Sequence, residues 1–144
     1  MNIRRFTLGD YEEVVDMYYA FAKEVYSNRK LGYKYSFYKI VDEWIQRRYD
    51  IILATKDSAI CGFSMCYVDD MDGITEPVYN ANLAYVKPTY RNSRASYMLY
   101  KNSYQYAKDM NLKIVTIGRS ENKVDEMMEK HFDLRKTYTM YEGA

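Results

Sequence analysis

Cysteine is scarce: two among 144 residues, Cys61 and Cys66, with a single histidine. That stock is too small for a disulfide framework or a Cys/His metal centre, and it points to a reducing, cytoplasmic setting. Five apart in one predicted strand, the two thiols are expected on opposite faces, where they do not bridge. Proline is scarcer than the length leads one to expect, also two, so long regular elements meet few breaks. No apolar run approaches the roughly 18 residues of a membrane span, and the N-terminus has no long apolar core of a signal peptide. Net charge is only +1, which gives no general attraction to nucleic acid or to an anionic surface.

What the chain has in excess is tyrosine, 18 residues. Many of these rings must stay partly exposed, because a buried hydroxyl needs a partner. Such a surface suits protein contacts, a homodimer among them. The length fits one domain over residues 1–144, large enough to bury a core.

Alternation at Ile3-Arg4-Arg5-Phe6 predicts a first strand. Asp10, with Glu13 three residues on, predicts a helix cap, followed by a stripe at Val14, Met17, Tyr18, Phe21, Ala22 and Val25. Ser36 is the expected cap of a second helix carrying Phe37, Ile40, Val41, Trp44 and Ile45. Asp50 to Thr55 and Ala59 to Val68 read as a hairpin around Lys56-Asp57-Ser58. Asp70-x-Asp72-Gly73 begins like a calcium loop, but the twelfth position is Ala81, so calcium is rejected.

Val78 to Val86 is the next strand, and Pro88 ends it by offering no N–H to a ladder. Arg91 to Ser96 is a loop, and Leu99, Ser103, Tyr106, Ala107 and Met110 then recur at helical spacing. A loop entering a helix leaves about four N–H groups without an intrahelical partner, a ready phosphate site. Lys113 to Gly118 is a strand, Glu121 to His131 a short helix, and Leu134 to Tyr141 a last strand.

Val86-x-Pro88-x-x-Arg91-x-x-Arg94-x-Ser96 resembles the acyl-CoA loop of the GNAT superfamily of N-acyltransferases, Val-x-Pro-x-x-(Arg/Gln)-x-x-Gly-x-(Gly/Ala). Val86, Pro88 and Arg91 match; Arg94 and Ser96 stand where small residues are usual, and Asn92 where a further glycine is common. The element order β-α-α-β-β-β-α-β-α-β is also that of the family. The resemblance implies a single α/β domain with a mixed sheet of six or seven strands and about four helices. It implies acetyl-CoA as cosubstrate, bound by Tyr85, Val86, Arg91, Asn92, Ser93, Arg94, Ala95, Ser96 and Asn122. It implies transfer of an acetyl group to a primary amine on a small molecule or a protein.

The loop has an ordinary reading as a solvated basic helix start, and Asn122 one as a helix cap. Seven residues after Asn122, where the family often carries an acid tyrosine, stands Glu129. Tyr138 or Tyr141 is the expected substitute. Aminolysis also needs a proton acceptor. Candidates are Glu76, Asp69, Asp70, or water held by Asn80 or Asn82. Tyr33, Tyr35 and Tyr38 are expected along the acceptor cleft between the first two helices and the parted strands. The competing reading is a GNAT-shaped structural or interaction module without catalysis, since fold does not fix function.

Overall fold

A computed structural model describes residues 1–25, 35–46, 49–70, 76–116, 130 and 132. The chain opens with β1 (Asn2–Arg5), a single 3-10 turn at Leu8–Asp10, α1 (Tyr11–Val25) and α2 (Tyr35–Ile45). β2 (Asp50–Lys56), β3 (Ala59–Asp69), β4 (Val78–Val86), a second 3-10 turn at Pro88–Tyr90, α3 (Ala95–Asp109) and β5 (Lys113–Val115) follow. Among the described residues five strands form one sheet in the order β1-β2-β3-β4-β5, with only β4 and β5 parallel. The expected final helix and final strand lie outside the described residues, apart from Lys130 and Phe132. No helix of the described residues is long and apolar enough to cross a membrane.

The sheet is covered on both faces, and its central strands read accordingly. Ile51 and Leu53 of β2 pack under α1 and α2 with Val14, Val15, Met17 and Val41. Their neighbours Ile52 and Ala54 point the other way, against Ala95 and Leu99 of α3. A strand buried on both faces needs a continuous apolar run, and Ile51-Ile52-Leu53-Ala54 supplies it. The hairpin turn between β2 and β3 has positive φ at both Asp57 (50°) and Ser58 (68°), the twist that two-residue turns require.

Two sequence expectations are corrected here. The first cap is Thr7 rather than Asp10: a 3-10 turn precedes α1, and Asp10 is its third residue. The Asp10 carboxylate accepts from the Thr7 N–H at 2.9 Å and takes both arms of Arg4 at 2.8 Å. Arg4 thereby holds the Asp10 carboxyl well below the usual carboxylate range. The second concerns the thiols, which both face α3. Ala54 pairs Gly62 while Thr55 pairs Ile60, so Cys61 is an extra residue in the ladder and strand parity breaks. Cys61 packs with Ala95 and Leu99, and Cys66 with Ala107, both as free thiols.

Candidate functional site

A second break of register builds the site. Met65 pairs Leu83 and Tyr67 pairs Asn80, so Ala81 and Asn82 together oppose Cys66. The extra residue bends β4 and increases its twist. Before the bulge, Tyr79 and Ala81 pack toward α3; after it, Leu83 and Tyr85 pack toward α1. The pairing with β5 runs through Val78, Tyr79 and Asn80 and goes no further among the described residues. Its last link is Thr116 Oγ1 donating to the Ala81 carbonyl at 2.8 Å. Thr116 is the last residue of this stretch that the structure describes.

Beyond the bulge, the ladder decides which backbone groups face away from β3. The Lys87 N–H donates to the Cys61 carbonyl at 2.8 Å. Antiparallel alternation then turns Tyr85 and Leu83 toward β3, and Val86 and Ala84 toward the open side. Of the two strand residues expected to bind the cosubstrate, Val86 turns its polar groups away from β3, its carbonyl accepting from Arg91 Nε, and those of Tyr85 face β3. Tyr85 contributes a buried ring beside Phe63 instead.

The loop that follows carries no left-handed residue. Among the described residues, positive φ at non-glycine positions occurs at Asp57, Ser58 and Asn111. Arg94, the residue before α3, has φ −81° and ψ 5°. Arg94 and Asn92 thus occupy glycine-like positions of the motif without backbone strain. Ser93 Oγ accepts from the Ala95 N–H at 3.2 Å and donates to the Tyr90 carbonyl, which closes the loop from within. The first intrahelical bond runs from the Met98 N–H to the Arg94 carbonyl at 2.9 Å. The N–H of Ser96 precedes it and has no intrahelical partner. Ala95 is fully buried beneath it.

The arginines go to different places. Arg91 turns back on the fold: Nε donates to the Val86 carbonyl at 3.0 Å, and a terminal nitrogen pairs with Glu24 at 2.5 Å. Its guanidinium also lies 5.5 Å from the centre of the Tyr85 ring. Arg94 is exposed, with its guanidinium 5.5 Å from the centre of the Tyr97 ring.

Of the expected catalytic groups, Glu76 is exposed before β4. It stands five residues ahead of Ala81, roughly 17 Å at the rise of a strand, and is not brought to the gap. Tyr138, Tyr141, Asn122, Glu129 and Tyr33 lie outside the described residues, as do the side chains of Tyr35, Tyr38 and Asn82. Asn80 is the polar group at the kink itself. It is 7% exposed, and its Oδ1 is buried without a hydrogen-bond partner among the described residues. Tyr79 packs toward α3, so alternation puts Asn80 on the α1/α2 face. Its register partner Tyr67 lines a cavity of about 1130 Å³ at the end of α2, together with Trp44, Tyr49 and Asp70. Sequence reasoning named Asn80 but had no sign of the bulge that makes it special.

By sequence, no family model and no curated protein matches this chain. By structure, it is similar to an aminoglycoside antibiotic 6′-N-acetyltransferase from Acinetobacter haemolyticus, at TM-score 0.74 and 15% identity, over 100% of this chain and 97% of that one. It is similar to a ribosomal-protein-alanine N-acetyltransferase from Brucella melitensis biovar Abortus 2308, at TM-score 0.69 and 16% identity, over 100% and 99%. A transcriptional regulator from Bacillus halodurans C-125 superposes at TM-score 0.78 and 15% identity, over 99% and 98%. The chain has the GNAT fold, a mixed α/β sheet with helices on both faces. At these identities the likeness carries the fold, and the activity has to be argued from the site.

Proposed function

We propose that the protein is an acyl-CoA-dependent N-acetyltransferase acting on a primary amine. The observation that supports this reading is the bulge in β4, followed by a strand-to-helix loop that leaves the Ser96 N–H without an intrahelical partner. The residues suit the cosubstrate in kind. A diphosphate is an anion, and the Ser96 N–H with the helix dipole behind it is a donor for one. An amide-bearing arm needs backbone partners, and the polar groups of Ala84 and the N–H of Val86 face away from β3, the Val86 carbonyl being held by Arg91.

Acetyl-CoA supplies an activated thioester; the chain supplies position. The arm would run along the outer edge of β4 from the loop toward the bulge. The acceptor would come from the other side of the kink, where the cavity beside Tyr67 opens. Holding the amine against the thioester removes the entropy of a two-body encounter, a term of about 7–11 kcal/mol when alignment is good. The C–N bond forms, the C–S bond breaks, the thiolate takes a proton, and the amine gives one up. Proton acceptance by water at Asn80, and donation by Tyr138 or Tyr141, complete the proposal.

Two measurements test it. Ligand at 100 times its dissociation constant adds about 2.7 kcal/mol of stability, so millimolar acetyl-CoA is expected to raise the melting temperature by several degrees. Release of free CoA thiol, followed colorimetrically over a panel of polyamines, aminoglycosides and peptide N-termini, then identifies the acceptor. No thermal shift with either CoA or acetyl-CoA would overturn the assignment.

A further inference from the structure

The acceptor side of the kink has a chemistry of its own. The cavity there, about 1130 Å³, opens at the end of α2, where β1 and β3 end and β2 begins. Ordinary small-molecule sites span roughly 300–1,000 Å³, so this one has room for an acceptor well beyond its reacting nitrogen. Two ring pairs form its walls. Phe6 meets Trp44 edge to face with centroids 4.9 Å apart, and Tyr49 meets Tyr67 with centroids 5.0 Å apart. Among the described residues its carboxylates are Glu43, Asp50 and Asp70, against the guanidinium of Arg5, which lies 3.9 Å from Asp50. The Glu43 charge is felt inside: burial first, and then that carboxylate, pushes the Tyr49 hydroxyl up. Ile45 at the rim is 60% exposed, apolar surface that a hydrocarbon stem would cover. Beside Tyr67 stands its register partner Asn80, whose buried Oδ1 lacks a donor among the described residues.

Rings and carboxylates together favour one class of occupant. An aromatic face and a negatively charged cleft both attract an organic cation and disfavour an anion. The reacting nitrogen cannot be that cation, because aminolysis requires it neutral. An alkylammonium with a pKa of about 10 keeps its proton at neutral pH, so a second amine on the same molecule arrives charged. One end of such a molecule donates an N–H to Asn80 Oδ1 at the kink, and the other lies among the rings and carboxylates. We propose that the acceptor carries at least two amines: the first is acetylated at the kink, and the second, as an ammonium, is held by Glu43, Asp70 and the Tyr49–Tyr67 pair. The inference rests on the N-acetyltransferase reading above and adds a substrate class to it, a multiply charged amine in preference to a monoamine.

Diaminobutane and pentylamine test it, being close in length and differing by an ammonium in place of a methyl group. With saturating acetyl-CoA, kcat/KM for the diamine is expected to exceed that for the monoamine at least tenfold, and the ratio to shrink as salt is raised, because Asp70 is exposed. Glu43→Gln combined with Asp70→Asn brings the ratio close to one by raising KM for the diamine, with kcat and the pentylamine rate almost unchanged. Tyr67→Leu lowers the ratio several-fold, and Tyr67→Phe retains it. Spermidine, an aminoglycoside and a peptide N-terminus are run alongside. Preference for either polycation supports the inference and names the frame that fits; preference for the peptide overturns it. Equal kcat/KM for the two simple amines in wild type overturns it and leaves the acetyltransferase reading standing, as does a ratio that survives in the double variant. Calorimetry of the same two amines against the full chain reads the cavity without turnover. Tighter binding of the diamine, lost in the double variant, supports the inference even where acetylation fails; equal binding overturns it.

Discussion

Arg91 donates through Nε to the carbonyl of Val86 at 3.0 Å, the residue five positions earlier on the strand that feeds the loop. That bond and the Glu24 contact tie the loop to β4 and to the end of α1 at once. The motif arginine is therefore a clip that shapes the loop, with its side chain committed before any ligand arrives. The two bonds are unequal in worth. A pair whose members are each nearly half exposed contributes no more than about 1 kcal/mol. The carbonyl bond is partly buried and contributes about 0.5–1.5 kcal/mol.

Separating the two contacts is straightforward. Glu24→Gln is expected to shift the urea midpoint only slightly and to leave CoA affinity within about twofold. Arg91→Ala loses both contacts and frees the loop, so it is expected to lose roughly 1–2 kcal/mol of stability and more than tenfold in CoA affinity. Equal effects of the two variants on affinity would show that the Val86 bond does not position the loop.

Gly62 sits where β3 passes closest to the end of β4. A Cβ built there would lie 2.5 Å from the Tyr85 carbonyl oxygen and 3.1 Å from the Val86 Cα, both backbone atoms that cannot turn aside. Gly62→Ala is expected to destabilise by about 1–3 kcal/mol through overpacking. It also displaces Val86, so CoA affinity falls with it. Equilibrium urea unfolding checks the first effect; wild-type stability in this variant would mean that the two strands separate easily.

Asp10 makes a pH-dependent contribution whose sign follows from its depressed pKa. Arg4 lowers the folded value below the unfolded one of about 3.9. The stabilisation is therefore fully present above about pH 4 and is lost as pH falls through the folded value. At pH 7, Asp10→Asn is expected to lose about 1.5 kcal/mol, the lower end for a charged hydrogen bond, because Arg4 is 41% exposed. The gap between variant and wild type should narrow steadily in melts below pH 4; a gap that stays constant would mean that the charge is irrelevant.

Both cysteines report on opening of the α3 layer. Each is fully buried, and burial pushes the Cys66 thiol up, with Ser103 Oγ 3.4 Å from its sulfur. Native protein at pH 8 is expected to resist a disulfide reagent such as DTNB for hours and to react at both thiols once unfolded by guanidinium. Rapid labelling of one native thiol would show that α3 detaches locally.

Local rules were enough for β4, the loop and α3. Pro88 cannot continue a ladder, and the apolar positions from Leu99 to Ala107 recur at helical period, so the element types follow from neighbouring residues, although α3 begins at Ala95, inside the expected loop. The identity of Thr7 as the cap was hidden because a 3-10 turn intervenes before α1, and it appears only when Asp10 is seen reaching back under the pull of Arg4. The bulges are a different matter. Whether Ala81 and Asn82 share one partner depends on how β3 and β4 meet across the sheet, a choice between strands that no window of sequence contains. From that choice follow the burial of Asn80 at the kink and the change of face between Ala81 and Leu83. The loop shows the same division. Its residues named a phosphate site, but the right-handed backbone at Arg94 and the destinations of Arg91 and Arg94 were decided by Glu24, the Val86 carbonyl and the Tyr97 ring. These are partners brought in by tertiary packing, and a long flexible side chain goes where its partner is.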